Sequence, residues 1–346
     1  MSKFLQNTFR YGLSFLIALA LLYYAFQGID WQKVGQQFAR ADYRWIIASA
    51  VFGFLSHASR AHRWLLLLQP LGYKPSFASA FHTVMSAYFV NLIFPRAGEV
   101  SRCGMINRWQ QVPVSTALGT VILERVIDLL MLLTLIGVLF VAEFAKVGPI
   151  VMEIVRQKTP GMGILLITGL SLLGLGLLFF WSAQKPLATW KEKAWGRKVL
   201  GLGRNLWLGM QSVRSVRNFP LFIFHTLFIW LMYFAMSYVL FYSFPETAHL
   251  GFWFGFTVLI LGGIGMAAPV QGGLGTYHLL VAGAFAWQGF TMEQGILMAT
   301  FMHTSQTLLV LLGGGFSLAW SLQAITQHQR NKALANDKAV VAEAKS

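Results

Sequence analysis

The sequence has few charged residues and almost no cysteine. Only 11% of its 346 residues are Asp, Glu, Lys or Arg, whereas 56% are hydrophobic and the mean hydropathy is +0.59. Soluble domains carry about 25% charged residues, so this composition excludes a soluble enzyme. The one cysteine, Cys103, excludes an internal disulfide framework. We therefore expect a membrane protein.

Motifs that the sequence lacks narrow its function further. It contains no G-x-x-x-x-G-K-[ST] loop for ATP, no G-x-S-x-G nucleophile, and no H-E-x-x-H or comparable zinc-ligand spacing. We therefore expect no cofactor, no bound metal and no enzymatic activity. The net charge of +15 does not indicate nucleic-acid binding, because no soluble module is left to carry a recognition fold.

Apolar segments of membrane-spanning length recur along the chain. A helix needs about 20 apolar residues to cross the hydrocarbon core, and segments such as 126–142 lack the alternation of β-barrel strands. The sequence therefore predicts an all-α polytopic membrane protein. We expect helices at residues 11–27, 45–59, 77–94, 115–142, 163–182, 221–244, 252–268, 277–289 and 295–322.

Two of these helices are broken by proline. The segment 77–94 stops at Pro95, and the segment 252–268 stops at Pro269. Interrupted backbone at membrane depth is tolerated where protein or a water-filled cavity satisfies its polar groups, so such breaks indicate substrate sites. If each broken helix forms a re-entrant hairpin, six full spans remain and most Lys and Arg residues fall on one side. This predicts cytoplasmic N and C termini in a bacterial-type plasma membrane.

The same topology predicts an inverted repeat. Its halves are residues 45–143 and 220–322, within a transmembrane domain of residues 1–322 that precedes a cytoplasmic tail, 323–346. Between the halves, residues 183–219 carry eight basic residues. Their helical alternation of apolar and basic positions suits an interfacial helix on anionic lipid. A connector that obeys the positive-inside rule is the alternative.

Three charged residues interrupt the apolar segment 115–142. Glu124, Arg125 and Asp128 would each cost about 2.5–3.5 kcal/mol at the centre of a membrane helix. Their i, i+3 and i+4 spacing places two carboxylates beside a guanidinium on one helix face, which we expect to face the protein interior. They are candidates for a headgroup- or ion-binding site. An ion pair that fixes helix packing is the alternative.

The first break supplies further candidates for binding a lipid headgroup. Arg96 and Arg102 lie beside helix ends whose free N–H groups attract phosphate, with Asn91 and Glu99 close by in sequence. Alternatively, the two arginines are ordinary cytoplasmic-loop cations.

The second break is rich in glycine. Gly272, Gly273 and Gly275 permit a sharp turn and a close approach of the backbone to a ligand, or simply close helix packing. His278 and His303 lie near this break and are candidates for substrate binding, although interhelical hydrogen bonding is the commoner role of histidine in membrane helices.

These motifs resemble the flippase-like membrane region of lysylphosphatidylglycerol synthases, the family that includes the membrane half of the multiple peptide resistance factor. His278 stands where the family pattern has an acidic residue. The resemblance covers nearly the whole chain, and the matching residues are 91–95 with Gly98, Glu99 and Arg102, then Glu124, Arg125 and Asp128, then Pro269 with 272–275.

The resemblance implies a lipid-translocation module with two re-entrant segments around a central cavity. The expected substrate is a phospholipid or isoprenoid-linked lipid, its phosphate held by Arg96, Arg102 and Arg125. The three positive charges of these arginines equal the three negative charges of Glu99, Glu124 and Asp128. The sequence therefore does not distinguish an anionic from a zwitterionic headgroup.

Other functions are also compatible with the sequence. The synthases carry a large soluble transfer domain, and about 24 residues follow the last span here, so aminoacyl transfer is not expected. One alternative is an intramembrane enzyme that uses carboxylates as acid and base on a lipid-linked substrate. Another is a membrane assembly partner without transport activity. Association into a homo-oligomer is also compatible with the sequence.

Overall fold

The computed structural model describes residues 31–94, 96–144, 194–268 and 270–343. The helices predicted at 11–27 and 163–182, and the first part of segment 183–219, lie outside these ranges. The described residues form ten α-helices and no β-strand. The helices are α1 (Trp31–Arg40), α2 (Tyr43–Leu68), α3 (Phe77–Ile93), α4 (Ala97–Gln110), α5 (Val114–Ala142), α6 (Ala194–Gln211), α7 (Phe219–Tyr238), α8 (Phe252–Ala267), α9 (Thr276–Trp287) and α10 (Met292–Glu343).

Two helices extend well beyond their predicted ends. Helix α2 continues past residue 59 to Leu68, just before Pro70, and α10 continues past residue 322 to Glu343. Neither extension contains the Gly or Pro that would stop a helix. The predicted tail is therefore a continuation of α10 as far as residue 343.

Three described helices are long and apolar enough to cross a membrane. They are α5, α7 together with the 3₁₀ turn that follows it to Ser243, and residues Met292–Asn331 of α10. Helices α3 and α8 are also apolar but have only 17 and 16 residues. The prediction of an all-helical membrane protein is confirmed, while the number of spans and the re-entrant geometry stay predictions.

Helices α2 and α5 turn their polar faces inward. On α2 the buried residues include Ser56, His57, Arg60 and Arg63, whereas apolar residues such as Ile47, Val51 and Phe54 are exposed. A helix of a soluble protein does the opposite and buries its apolar stripe. Exposed apolar faces of this extent are stable where the surroundings are hydrocarbon, which is the arrangement of a membrane protein.

The helix contacts repeat between the two predicted halves. Helix α3 packs on α4 as α8 packs on α9, and α4 packs on α5 as α9 packs on α10. The halves also exchange contacts, because α3 packs against α10 and α8 against α5. Helices α2 and α7 pack against each other and join the halves.

Helix α6, from the predicted interfacial segment, lies against α5. A Cβ atom added at Gly119 would be 2.2 Å from the carbonyl oxygen of Leu206, and one at Gly209 would be 2.5 Å from that of Thr116. Only glycine permits so close a contact between backbones. One side of α6 therefore packs on protein, while Trp207 is exposed.

Candidate functional site

The first break lies between the end of α3 at Ile93 and the start of α4 at Ala97. Arg96 has a left-handed backbone (φ 61°) and directly precedes α4. The side chain of Asn91 then accepts a hydrogen bond of 2.7 Å from the backbone N–H of Gly98, which satisfies one of the free donors at the start of the helix. The sequence predicted Asn91 near the break, and the structure gives it this capping contact.

Arg96 does not join the other predicted arginines. Its side chain is exposed, and Nη2 donates a 3.0 Å hydrogen bond to the carbonyl oxygen of Ala267, the last residue of α8. A cation at a helix C-terminus is favourable because the last carbonyls lack intrahelical partners. Arg96 thus links the first break to the helix that precedes the second.

The second break is built on glycines with left-handed backbone. Gly272, Gly273 and Gly275 have φ angles of 54°, 74° and 81°, which side-chain-bearing residues rarely adopt. A Cβ atom at Gly272 would lie 3.6 Å from the Leu92 side chain near the end of α3. The two breaks are therefore adjacent in space.

His278 and His303 lie together behind the second break. Both are buried, and their ring centroids are 5.0 Å apart. The backbone N–H of Gly275 donates to Nδ1 of His278 at 3.4 Å, so this ring caps the start of α9. Within the described ranges no group of three His, Cys, Asp or Glu residues could hold a metal ion.

The remaining predicted residues belong to one group of ion pairs, which we call the charge cluster. It comprises Arg60, Arg63, Glu99, Arg102, Glu124, Arg125 and Asp128. These residues come from α2, α4 and α5. Because α4 follows the first break, the turn there brings Glu99 and Arg102 against α5.

Asp128 is surrounded by three guanidinium groups. Its Oδ2 lies 2.7 Å from Nη1 of Arg60, and its Oδ1 lies 2.8 Å from Nη2 of Arg63. Arg125 is further away, with Nη2 at 3.8 Å from Oδ2. Two short charge-assisted hydrogen bonds thus hold Asp128 against α2.

Glu124 forms the deepest ion pair of the cluster. Its Oε2 lies 2.6 Å from Nη2 of Arg102, its Oε1 lies 3.7 Å from Nη2 of Arg63, and the Glu124 and Arg63 side chains are fully buried. The Arg102 guanidinium also stacks 3.7 Å above the Trp64 ring, whose indole N–H donates to Thr120. This cation–π contact orients Arg102 towards the carboxylate.

Arg60 and Arg63 are the two cluster residues that the sequence reasoning missed. Both were counted among the Lys and Arg residues expected on the cytoplasmic side of the membrane, yet the structure places them inside α2 with side chains 3% and 0% exposed. The missed signal was their i, i+3 spacing, which continues a polar helix face begun by Ser56. Arg102 is buried too, so these three cations carry no information on membrane topology.

The charge cluster has more cationic than anionic groups. Four arginines face three carboxylates, a formal net charge of +1. Several buried guanidinium nitrogens have no hydrogen-bond partner: Nε of Arg60, Nε and Nη1 of Arg63, and Nε of Arg102. Oε1 of Glu124 is also buried without a hydrogen-bond partner, so four unpaired donor nitrogens stand against one unpaired acceptor. Buried donors normally find an acceptor, and this excess of donors gives the cluster unused capacity to bind an anion.

Two side chains of the cluster reach the protein surface. The Arg125 and Glu99 side chains are 45% and 29% exposed, and their closest N···O distance is 3.7 Å. Two cavities of about 340 and 400 Å³ occur elsewhere among the described residues, beside Gln37 and beside Lys74, and neither is lined by a cluster residue. The side chains of Arg63 and Glu124, in the interior of the cluster, are fully buried.

Together these features define a polytopic integral membrane protein with polar groups enclosed among its helices. Residues 12–314 match the family described as lysylphosphatidylglycerol synthase TM region, and the chain belongs to this family. The resemblance predicted from the sequence is confirmed.

Two curated relatives match over shorter stretches. A UPF0104 membrane protein of Methanocaldococcus jannaschii is 28% identical over 129 residues, covering 36% of this chain and 37% of the relative. The glycosyltransferase AglD of Haloferax volcanii is 30% identical over 133 residues, covering 38% of this chain and 20% of the relative. The chain thus spans well under half the length of either relative. No solved structure matches.

Proposed function

We propose that this protein moves a phospholipid or isoprenoid-linked lipid between membrane leaflets without changing it chemically. The lipid headgroup crosses the membrane along the charge cluster, while the acyl chains stay in the bilayer. The observation that carries this proposal is the cluster itself, in which charged residues are enclosed between helices whose outer faces are apolar. Enclosed charges in membrane helices are costly and are characteristic of substrate pathways.

The helix arrangement supports this proposal. The two breaks adjoin, and the contacts of α3, α4 and α5 recur in α8, α9 and α10. Transporters built as inverted repeats bind their substrates at such discontinuous helices, and the first of them, α3–α4, brings Glu99 and Arg102 into the charge cluster. A re-entrant course of α3–α4 and α8–α9, with cytoplasmic termini, is part of the proposal.

An intramembrane enzyme is the second candidate, because one relative is named a glycosyltransferase. Such an enzyme would use Glu124 and Asp128 as general acid and base. Both carboxylates are held by arginines at 2.6–2.8 Å, and an ionised carboxylate is an acceptor with no proton to deliver. The pairing therefore favours transport over catalysis. A membrane assembly partner without transport is the third candidate.

Reconstitution separates the three candidates. The purified full-length chain is placed in liposomes that contain a lipid labelled on one acyl chain, and transbilayer movement is followed by quenching the outer label. We expect movement with the lipid mass unchanged. A new lipid mass would favour the enzyme, and no movement above protein-free liposomes would contradict the proposal.

A matched pair of variants tests whether the cluster carries the movement. Arg125→Gln removes a half-exposed guanidinium of the cluster, whereas Arg108→Gln removes an exposed one from α4 outside it. We expect the first variant to lose most of the movement and the second to retain it. Equal rates, with both variants folded, would exclude the cluster as the pathway.

Cysteine labelling tests the re-entrant course. Cys103 is buried, so it can be replaced by Ala and single exposed cysteines introduced at Lys74, Arg108 or His249. If α3–α4 re-enters, a membrane-impermeant reagent labels positions 74 and 108 from the same side and position 249 from the opposite side. Labelling of 74 and 108 from opposite sides would mean that α3–α4 crosses the membrane.

A further inference from the structure

We infer that the charge cluster selects lipids whose headgroup is a phosphate of net negative charge, and that Arg60, Arg63 and Arg125 bind this phosphate. The inference rests on the proposed function, because it names the class of lipid that is moved.

The charge balance of the observed cluster is the first argument. Arg96 lies on the end of α8, whereas Arg60 and Arg63 are inside the cluster, so the balance is +1 rather than zero. A headgroup of charge −1 neutralises it. A zwitterionic headgroup leaves the excess in place and a cationic one increases it, and buried uncompensated charge is unfavourable.

The positions of the guanidinium groups are the second argument. Arg60, Arg63 and Arg125 converge on the single carboxylate of Asp128, from both α2 and α5. A phosphate diester offers several oxygens around one centre and accepts bidentate bonds from arginine. The convergence therefore matches a phosphate better than it matches one carboxylate.

The unused donors are the third argument. Nε of Arg60 and both Nε and Nη1 of Arg63 are buried without a hydrogen-bond partner. Leaving buried donors unpaired is unfavourable, and an arriving phosphate oxygen removes that penalty. The two arginines are almost completely buried, so they are not surface cations with water as the alternative partner.

The phosphate has an entry route at Arg125. This side chain is half-exposed, and its ion pairs of 3.7 Å to Glu99 and 3.8 Å to Asp128 are too long for hydrogen bonds. Its donors are therefore available to a headgroup. Once bound there, the phosphate competes with Asp128 for the guanidinium groups of α2.

The wild-type protein tests the selectivity directly. In phosphatidylcholine liposomes, trace acyl-labelled reporters are compared: phosphatidylglycerol of charge −1, phosphatidylcholine of charge zero, and phosphate-free diacylglycerol corrected for its own spontaneous movement. We expect protein-dependent movement of phosphatidylglycerol to be about tenfold faster than that of phosphatidylcholine, equivalent to one charge-assisted hydrogen bond. Equal rates, or faster phosphatidylcholine, would overturn the inference but leave lipid movement established. No movement of any reporter would overturn the proposed function as well.

Two substitutions of opposite charge separate phosphate binding from mere packing. Asp128→Asn frees three guanidinium groups and Arg63→Gln removes one, and the readout is the rise in Tm when short-chain phosphatidylglycerol is added to the protein in detergent. We expect a larger rise than wild type for Asp128→Asn and a smaller one for Arg63→Gln. If the arginines only hold helices together, both variants have a lower Tm and the lipid-induced rise is unchanged, which would refute phosphate binding.

Two further arms complete the test. Inorganic phosphate alone should raise the Tm much less than short-chain phosphatidylglycerol, since it lacks the apolar chains; an equal rise would mean that the site takes free phosphate and would overturn the lipid assignment. If Asp128→Asn or Arg63→Gln fails to fold, the half-exposed Arg125→Gln replaces it, and the headgroup comparison in the wild-type protein decides without any variant.

Discussion

The sharpest structural test concerns Gly98, at the start of α4. A Cβ atom at this position would lie 2.0 Å from the carbonyl oxygen of Ala87 in α3, about 1 Å closer than Cβ atoms approach other heavy atoms. Gly98→Ala therefore forces α4 away from α3. The same movement breaks the hydrogen bond between Gly98 and Asn91.

The expected loss follows from these two contacts. Overpacking costs about 1–3 kcal/mol, and the lost hydrogen bond about 1 kcal/mol. Alanine recovers up to about 1 kcal/mol through its higher helix propensity, so the net loss is about 1–3 kcal/mol. Gly104→Ala is the matched control on the same helix, because a Cβ atom there meets nothing within 4 Å and only the gain in propensity applies.

Cys103 provides the assay. It is the one thiol of the sequence and is buried in α4, so a dye that becomes fluorescent on reacting with thiols reports unfolding as the temperature rises. We expect Gly98→Ala to lower the Tm and Gly104→Ala to leave it unchanged or raise it. Gly98→Ala should also slow lipid movement, since α4 carries Glu99 and Arg102. A Tm for Gly98→Ala equal to or above that of Gly104→Ala would refute the close contact of α3 with α4.

Two further predictions compare buried contacts with exposed ones. Glu124→Gln leaves the buried guanidinium of Arg102 without its counter-ion and should lower the free energy of unfolding by about 3–5 kcal/mol. Glu246→Gln breaks an exposed ion pair and should lower it by only about 0–1 kcal/mol. Similar Tm values for the two variants would contradict the burial of the cluster. Gly119→Ala should separate α5 from α6 and lower the Tm, because its Cβ atom would lie 2.2 Å from a carbonyl oxygen of α6, whereas Gly137→Ala on the same helix meets nothing. Stability of Gly119→Ala equal to that of Gly137→Ala would disprove the packing of α6 on α5.

Apolar length and helix breakers made most of the described fold predictable. Helix α5 was expected at 115–142 and is observed at Val114–Ala142, because its apolar run is long and begins right after Pro113. The ends of α3 and α8 were predicted at the two breaks for the same reason. The predicted range of α2 was too short, because a prediction from apolar residues stops before Arg60, whereas the helix itself continues to Leu68, just before Pro70.

The candidate site was predictable only in part. Glu124, Arg125 and Asp128 were all expected to face inward. The two carboxylates do so, because a carboxylate in an apolar helix needs a partner, whereas the prediction was wrong for Arg125, whose long side chain reaches the surface and is 45% exposed. The identity of that partner could not be deduced, since Arg63 is 65 residues away from Asp128 along the chain and no local periodicity links them. Arg96 was grouped with Arg102 by sequence proximity, but the left-handed turn directs it to the neighbouring half instead.

The burial of Arg60 and Arg63 in α2 also has a consequence for biogenesis. At a translation rate of about 5–20 residues per second, the 65 residues between Arg63 and Asp128 take roughly 3–13 s to synthesise. Throughout that delay α2 exists without the counter-charges of α5. We expect the nascent helix to wait at the bilayer surface, its arginine side chains reaching up to the lipid phosphates, and to settle into place only when α5 emerges from the ribosome.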